Sequence, residues 1–171
     1  PESGEWNRPA VTARFADRAV VLVEWATRRR GLIVSDAARR SITAIGDLAG
    51  RRVTPRQSSS GAQMLFLHLL DKAGLSPDEL ELGEPAHTEA DAALAVLEGK
   101  ADATFGLEAD AVQYKLAFVP VTLERFDLLV DRREWFEQPM QRFQDFCTSQ
   151  AFARRAGELA GYDVTNFGKV H

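Results

Sequence analysis

The chain has 171 residues, 45% hydrophobic and 27% charged, with a formal net charge of −4 at pH 7. That length and balance suit one globular domain, or two small lobes, with a real core. They argue against direct nucleic-acid binding by this segment, which needs a basic face; the pI is about 5.4. Small anions stay open as ligands, because local N–H groups outweigh net charge there. A single cysteine, Cys147, excludes a disulfide framework within the chain and is expected to pack in a helix. No run approaches 18 apolar residues and no charged-then-apolar leader opens the sequence, so no membrane partner is expected. The start at Pro1 reads as a trimmed piece, with a signal segment or another domain expected upstream.

Residues 1–19 are polar and irregular in pattern. Val20–Val23 and Leu32–Val34 read as two buried strands. The basic cluster Arg28-Arg29-Arg30, followed by Gly31, lies between these two strands and reads as an exposed turn. Ser41 to Leu48 is a connector ending in a helical turn, and Arg52 to Arg56 is the next strand. A helix over 63–73 would place Met64, Leu67 and Leu70 on its apolar side and stop at Gly74. Glu79 to Leu82 alternates as a partly exposed strand. Thr88 is a good N-cap for a helix over 89–98 with Ala93, Val96 and Leu97 on its apolar face. Ala103–Leu107 is a short buried strand, 108–116 is helical, and 118–121 and 127–130 are two further strands. Helices over 135–146 and 151–160 follow, and 161–171 is an irregular tail. Strand and helix alternate through the middle of the chain, which predicts a parallel sheet with helices on its faces and right-handed crossovers.

The stretch Arg56-Gln57-Ser58-Ser59-Ser60-Gly61-Ala62 carries the sharpest signal. A strand is expected to end in three hydroxyls and a glycine, where a helix begins. Unpaired N–H groups and a positive dipole end sit at that point, small residues let an anion approach, and hydroxyls add donors. In an open parallel sheet, ligands bind outside the carboxyl ends of the strands. Three loops hold that position: Gln57–Ala62, Ala86-His87-Thr88 and Gly106-Leu107-Glu108. Each has a plainer reading beside the ligand one. The serines give an ordinary N-cap, His87 is an exposed imidazole beside a capping threonine, Gly106 serves backbone packing, and Arg56 is either a bidentate anion clamp or a surface arginine. Catalysis has little support: there is no nucleophile elbow, no Walker lysine and no metal-ligand spacing, and the three histidines are scattered. His68 is expected to pack inside its helix. An enzyme reading would rest on a close pair of Glu108 and His87.

Several segments in this order resemble one family. They are Pro1-Glu2-Ser3-Gly4-Glu5-Trp6-Asn7, Val20–Val23, Gly31-Leu32-Ile33-Val34, Asp47-Leu48-Ala49-Gly50-Arg51-Arg52, Arg56-Gln57 with Ser60-Gly61, Gly99-Lys100-Ala101-Asp102-Ala103, Gly106-Leu107-Glu108-Ala109 and Gly161-Tyr162-Asp163. The chain resembles the periplasmic-binding-protein-like domain of the molybdate/tungstate-binding kind, often fused behind a helix-turn-helix in bacterial transcriptional regulators. The resemblance implies a type II fold of two α/β lobes with mainly parallel sheets and a ligand cleft. Residues 45–120 would form one lobe; 1–44 and 121–171 would form the other, whose first strand and helix lie upstream of Pro1. It also implies an oxyanion ligand, molybdate or tungstate, held by Ser58, Ser59, Ser60, Gly61, Ala62 and the helix start after Thr88, with no other cofactor. Arg56, His87, Gly106 and Glu108 complete the candidate ligand set. Ala62 departs from the threonine that usually follows the Ser-Gly pair. Implied partners are a fused DNA-binding domain or a permease, with oligomers allowed. The location is cytoplasmic, or periplasmic if a signal peptide has been removed. The rivals are an effector domain for an organic acid, with Phe105 and Tyr114 lining a wide site, and the Glu108/His87 enzyme.

Overall fold

The computed structural model describes residues 5–171. In chain order it contains α1 (Arg8–Arg14), β1 (Val20–Val34), β2 (Arg52–Thr54), α2 (Gly61–Lys72), β3 (Glu81–Leu82), α3 (Glu89–Leu97), β4 (Ala103–Leu107), α4 (Glu108–Gln113), β5 (Ala117–Asp131), α5 (Gln138–Cys147), α6 (Gln150–Gly157) and β6 (Tyr162–Asp163). Two compact units emerge, one of Arg29–Thr122 and one of Pro1–Arg28 with Leu123–His171, and β1 and β5 each run from one unit into the other. Among the described residues, no helix is long and apolar enough to cross a membrane.

In the Arg29–Thr122 unit, β2 pairs in parallel with β3 on one side and β4 on the other. The far edge of β4 pairs antiparallel with the second half of β1, in the register Leu32 to Phe105. The alternation expected of a strand then sorts the core. Leu32, Val34 and Phe105 pack with Phe66 and Leu70 of α2, whereas Ile33 packs with Ala93 of α3 and Ala111 of α4. Phe66 and Phe105 stack with ring centroids 5.4 Å apart. Phe105 is thus a core residue rather than a site wall. Thr104, fully buried, satisfies its hydroxyl by donating to the Thr54 carbonyl at 2.8 Å.

The unit of Pro1–Arg28 with Leu123–His171 is built on an aromatic cluster. Trp25 contacts Phe126, Phe143 and Phe152, and Phe167 closes on Phe143 and Phe152. Cys147, the last residue of α5, is buried, and burial pushes its thiol pKa up. A polar network also lies here. Arg125 is bidentate on Asp127, and His171 Nε2 lies 3.0 Å from the buried Glu24.

Several sequence expectations are corrected. Val20–Val23 and Leu32–Val34 are one 15-residue strand, so Arg28–Arg30 form no turn. Arg30 is 2% exposed. The segments 118–121 and 127–130 likewise belong to one strand, β5. The buried face of α2 is Ala62, Gln63, Phe66 and Leu70, leaving Met64, Leu67 and His68 exposed. Leu97 of α3 is exposed, with Ala92 in its place in the core. The first 19 residues contain α1, with Pro9 in its first turn, where a missing N–H costs nothing. The tail is not irregular: β6 pairs with Thr27–Arg28, and Val170 bridges Val23. Pro1–Gly4 of the first family segment lie outside the described residues.

Candidate functional site

The parallel pairing of β2, β3 and β4 sets their carboxyl ends along one side of the sheet. The loops that leave them are 55–60, 83–88 and the 107–108 junction, so the three candidate loops share one sheet edge. Two of them are tied directly by an isolated parallel bridge between Arg56 and Ala86.

Ser60 caps α2. Its backbone is extended, and its hydroxyl oxygen accepts from the Gln63 N–H at 3.1 Å. Ser58 and Ser59 stand exposed in the turn before it. One cap uses one hydroxyl, so two remain facing solvent. Gly61 is exposed, with nothing within 4 Å of where a Cβ would be, and the first turn of α2 holds no acidic residue. The N–H groups of Gly61 and Ala62 therefore start a helix with no built-in anion. Ala62 itself is buried, so only its N–H can serve a ligand.

The start of α3 differs. Thr88 Oγ1 accepts from the Asp91 N–H at 3.0 Å, and Asp91 returns the bond by accepting from the Thr88 N–H at 3.1 Å. This capping box, with Glu89 in the same turn, brings two carboxylates to the dipole end. The Thr88 N–H is already used, and a ligand anion here meets negative charge. His87 is exposed and gives its carbonyl to Arg56.

Arg56 faces inward, not outward. Its Nε donates to the Ala86 carbonyl at 3.1 Å and its Nη2 to the His87 carbonyl at 3.0 Å. Its Nη1 lies 2.9 Å from Glu89 Oε1, an ion pair in which the N–H does not align with the oxygen. The Arg56 backbone N–H donates to the Gln63 side-chain oxygen at 2.9 Å, joining the strand end to the first turn of α2. Arg56 thus braces the two loops. The same carboxylate oxygen of Glu89 accepts from Nη1 and Nη2 of Arg30, both at 3.1 Å. Arg30 lies over the Phe105 ring, 5.6 Å from its centroid. Its position on β1 and the position of Glu89 on α3 converge only in the fold.

Gly106 packs closely: a Cβ there would lie 2.7 Å from Ile33 Cδ1 and 3.9 Å from Glu89 Oε2. Glu108, at the start of α4, pairs with Arg29 Nε at 2.8 Å. The enzyme reading needed a close Glu108–His87 pair, and the ion-pair partner of Glu108 is an arginine. Arg30, Glu89 and Gln63 were absent from the sequence-based set. One cue was available, since Glu89 directly follows the capping threonine, but nothing local announces its pairing with Arg30. Among the described residues, no group of three or more acidic, histidine or cysteine side chains could hold a metal ion.

The fold is that of the periplasmic-binding-protein-like class. The model for the PBP superfamily domain matches residues 1–148, and the chain belongs to that family. The uncharacterized protein YvgK of Bacillus subtilis is 28% identical over 172 residues, covering 99% of this chain. The chain spans about half of that relative, 55% of its length. Solved structures share the fold at lower identity. The periplasmic aliphatic sulphonate binding protein SsuA from Escherichia coli matches with a TM-score of 0.56 and 20% identity, over 90% of this chain and 55% of that one. A putative methionine-binding lipoprotein from Bacillus subtilis matches with a TM-score of 0.56 and 16% identity, over 88% of this chain and 70% of that one. Helices and sheet together match the type II periplasmic-binding-protein-like fold.

Proposed function

We propose that this chain is the ligand-binding part of a solute-binding or sensing protein, and that its ligand presents a tetrahedral oxyanion to the start of α2. The observation that carries this reading is that start itself: exposed Ser58 and Ser59, a capping Ser60, an open Gly61 and no acid in the first turn. Neutral donors aimed by a helix hold an ionised oxyanion without a contacting cation. Ser58, Ser59 and the N–H groups of Gly61 and Ala62 are the donors, and Arg56 holds the loop rather than the ligand. His87, Thr88, Gly106 and Glu108 shape the neighbouring loops. Thr88 offers at most its hydroxyl hydrogen, since its N–H is occupied.

Molybdate and tungstate are the ligands this reading names first, with occupancy passed to a fused DNA-binding domain in the cytoplasm or to a permease outside it. Among the structural relatives, the sulphonate-binding protein favours a second reading. An organic sulfonate carries the same tetrahedral head on an apolar tail. Calorimetric titration with molybdate, tungstate, sulfate and a short alkanesulfonate separates the two. Heat with the inorganic anions supports the first reading, and heat with the alkanesulfonate alone supports the second. No heat with any of them sinks the oxyanion site. Ser59→Ala and Ser58→Ala should each weaken binding by about 1–3 kcal/mol, the cost of removing a donor from a charged acceptor.

A further inference from the structure

We propose that the side-chain amide of Gln63 is a further ligand contact of the anion site, donating from Nε2 to the bound oxyanion; the inference rests on the oxyanion reading above. Gln63 stands three residues after the capping Ser60, where a glutamine can turn back to the N–H of the capping residue. That N–H is taken here, since Ser60 donates it to the Gln57 carbonyl at 2.9 Å. Gln63 reaches Arg56 instead, and its Oε1 accepts from the Arg56 backbone N–H at 2.9 Å. This bond settles which end of the amide is which, because an N–H donor must meet the oxygen. Nε2 is left at the other corner with its hydrogens to give. Gln63 is 8% exposed, yet among the described residues its Nε2 has no protein partner and keeps contact with solvent. A side chain more than nine-tenths buried thus carries an open donor at its tip.

The helix places that donor. Side chains on a helix tilt toward its N-terminus, so the Gln63 amide lies back along the first turn of α2. Its bond to Arg56 sets it just past the carboxyl end of β2, on the sheet edge where α2 begins. The backbone N–H of Gln63 is spent on the Ser60 hydroxyl at 3.1 Å. The donors of this turn without a protein partner are therefore the N–H groups of Gly61 and Ala62 and the Nε2 of Gln63. An amide already pinned at its oxygen has little rotamer freedom left to lose when its nitrogen meets a ligand oxygen. It is also neutral, so it adds a bond to an ionised oxyanion without adding a cation.

Tungstate is the probe, or methanesulfonate should tungstate give no heat. It is titrated into the unmodified protein and two variants whose folding is verified by thermal unfolding. Gln63→Glu keeps the shape of the side chain and an oxygen for the Arg56 N–H, but it sets a second oxygen where the donor stood. It is expected to weaken binding at least about a hundredfold, with hydrogen exchange at the Arg56 amide unchanged. Met64→Glu puts the same charge on the next residue, whose side chain is exposed, and is expected to cost no more than about threefold at physiological salt. A second measurement needs no variant and stands should Gln63→Glu fail to fold. In the NMR spectrum of the unmodified protein, the side-chain amide protons of Gln63 are expected to shift, and to exchange more slowly with water, as the anion saturates the site. A loss in Gln63→Glu no greater than in Met64→Glu, or Gln63 amide protons that neither shift nor slow at saturation, overturns the contact while leaving the oxyanion site standing. If neither anion binds the unmodified protein, the oxyanion reading fails and the inference falls with it.

Discussion

Arg56 donates through Nη2 to the carbonyl oxygen of His87 at 3.0 Å, and through Nε to that of Ala86 at 3.1 Å. One side chain thereby fixes the loop before α3 to the strand end that feeds α2. A guanidinium can make both bonds because its donors form a rigid planar fork, and an ammonium cannot reproduce that geometry. Arg56→Lys keeps the charge but should strand at least one carbonyl. We expect a loss of about 1–3 kcal/mol in urea unfolding, with faster hydrogen exchange at the amides of Thr88 and Asp91. Exchange unchanged at both amides would show that the brace is not what orders this loop.

Gly31 sits on β1 where it must approach β5. A Cβ at this position would lie 2.1 Å from the Val119 carbonyl oxygen and 3.0 Å from Pro120 Cα, both backbone atoms that no rotamer change can move aside. Gly31→Ala should cost about 3 kcal/mol or more, the upper range for overpacking, and push the strands apart. Gly61→Ala is the contrast. It lies on the first turn of α2 with open space around it and no positive φ, so alanine should stabilise by about 0.4–1 kcal/mol. Chemical unfolding of the two variants side by side decides the matter, and a Gly31→Ala protein as stable as Gly61→Ala would refute the close approach.

The difference between Gly31 and Gly61 also shows what the sequence could and could not reveal. Local signals were legible: the apolar run Ala103–Leu107 is β4 to the residue, Thr88 caps α3, and the serine–glycine turn opens α2. Long-range pairing was not. Arg28, Arg29 and Arg30 read as a solvated turn because the acids that neutralise them, Glu124, Glu108 and Glu89, lie far along the chain. Arg28 to Glu124 spans 96 positions and Arg30 to Glu89 spans 59. No window of local composition contains both partners. The same limit misplaced the apolar side of α2. Met64 and Leu67 fit a helical stripe as well as Ala62 and Phe66 do, and only the position of Phe105 on β4 selects the latter. β6 has two residues, too few to show any period, and it owes its place to the edge of β1. The loops of the site were thus found, but the charged cluster beneath them was not.

Asp102 gives the unit of Arg29–Thr122 an acid-sensitive contact. Its Oδ1 accepts from Arg52 Nη2 at 2.7 Å, and its Oδ2 accepts from the Arg52 backbone N–H at 3.1 Å. The side-chain bond from Arg52 is the main cause holding its carboxyl below the usual value of 3.8, and partial burial opposes it. A carboxyl whose folded-state pKa is depressed contributes stability in full above its unfolded value. That contribution is lost as pH falls through the folded value. The window therefore opens near pH 4 and extends below it, with no change between pH 7 and 5. Asp102→Asn removes the ionisable partner, and the half-exposed Arg52 keeps its bond to the Gly99 carbonyl. Screening at such an exposed pair keeps the effect modest. Urea midpoints at pH 7, 5 and 3 should show the variant below the unmodified protein by the same margin at the first two values. The margin should narrow at pH 3, below the ordinary value of 3.8, where the unfolded chain's carboxyl takes up a proton that the folded one resists. A margin that stays constant down to pH 3 would mean that Asp102 stabilises by shape and hydrogen bonding alone, without its charge.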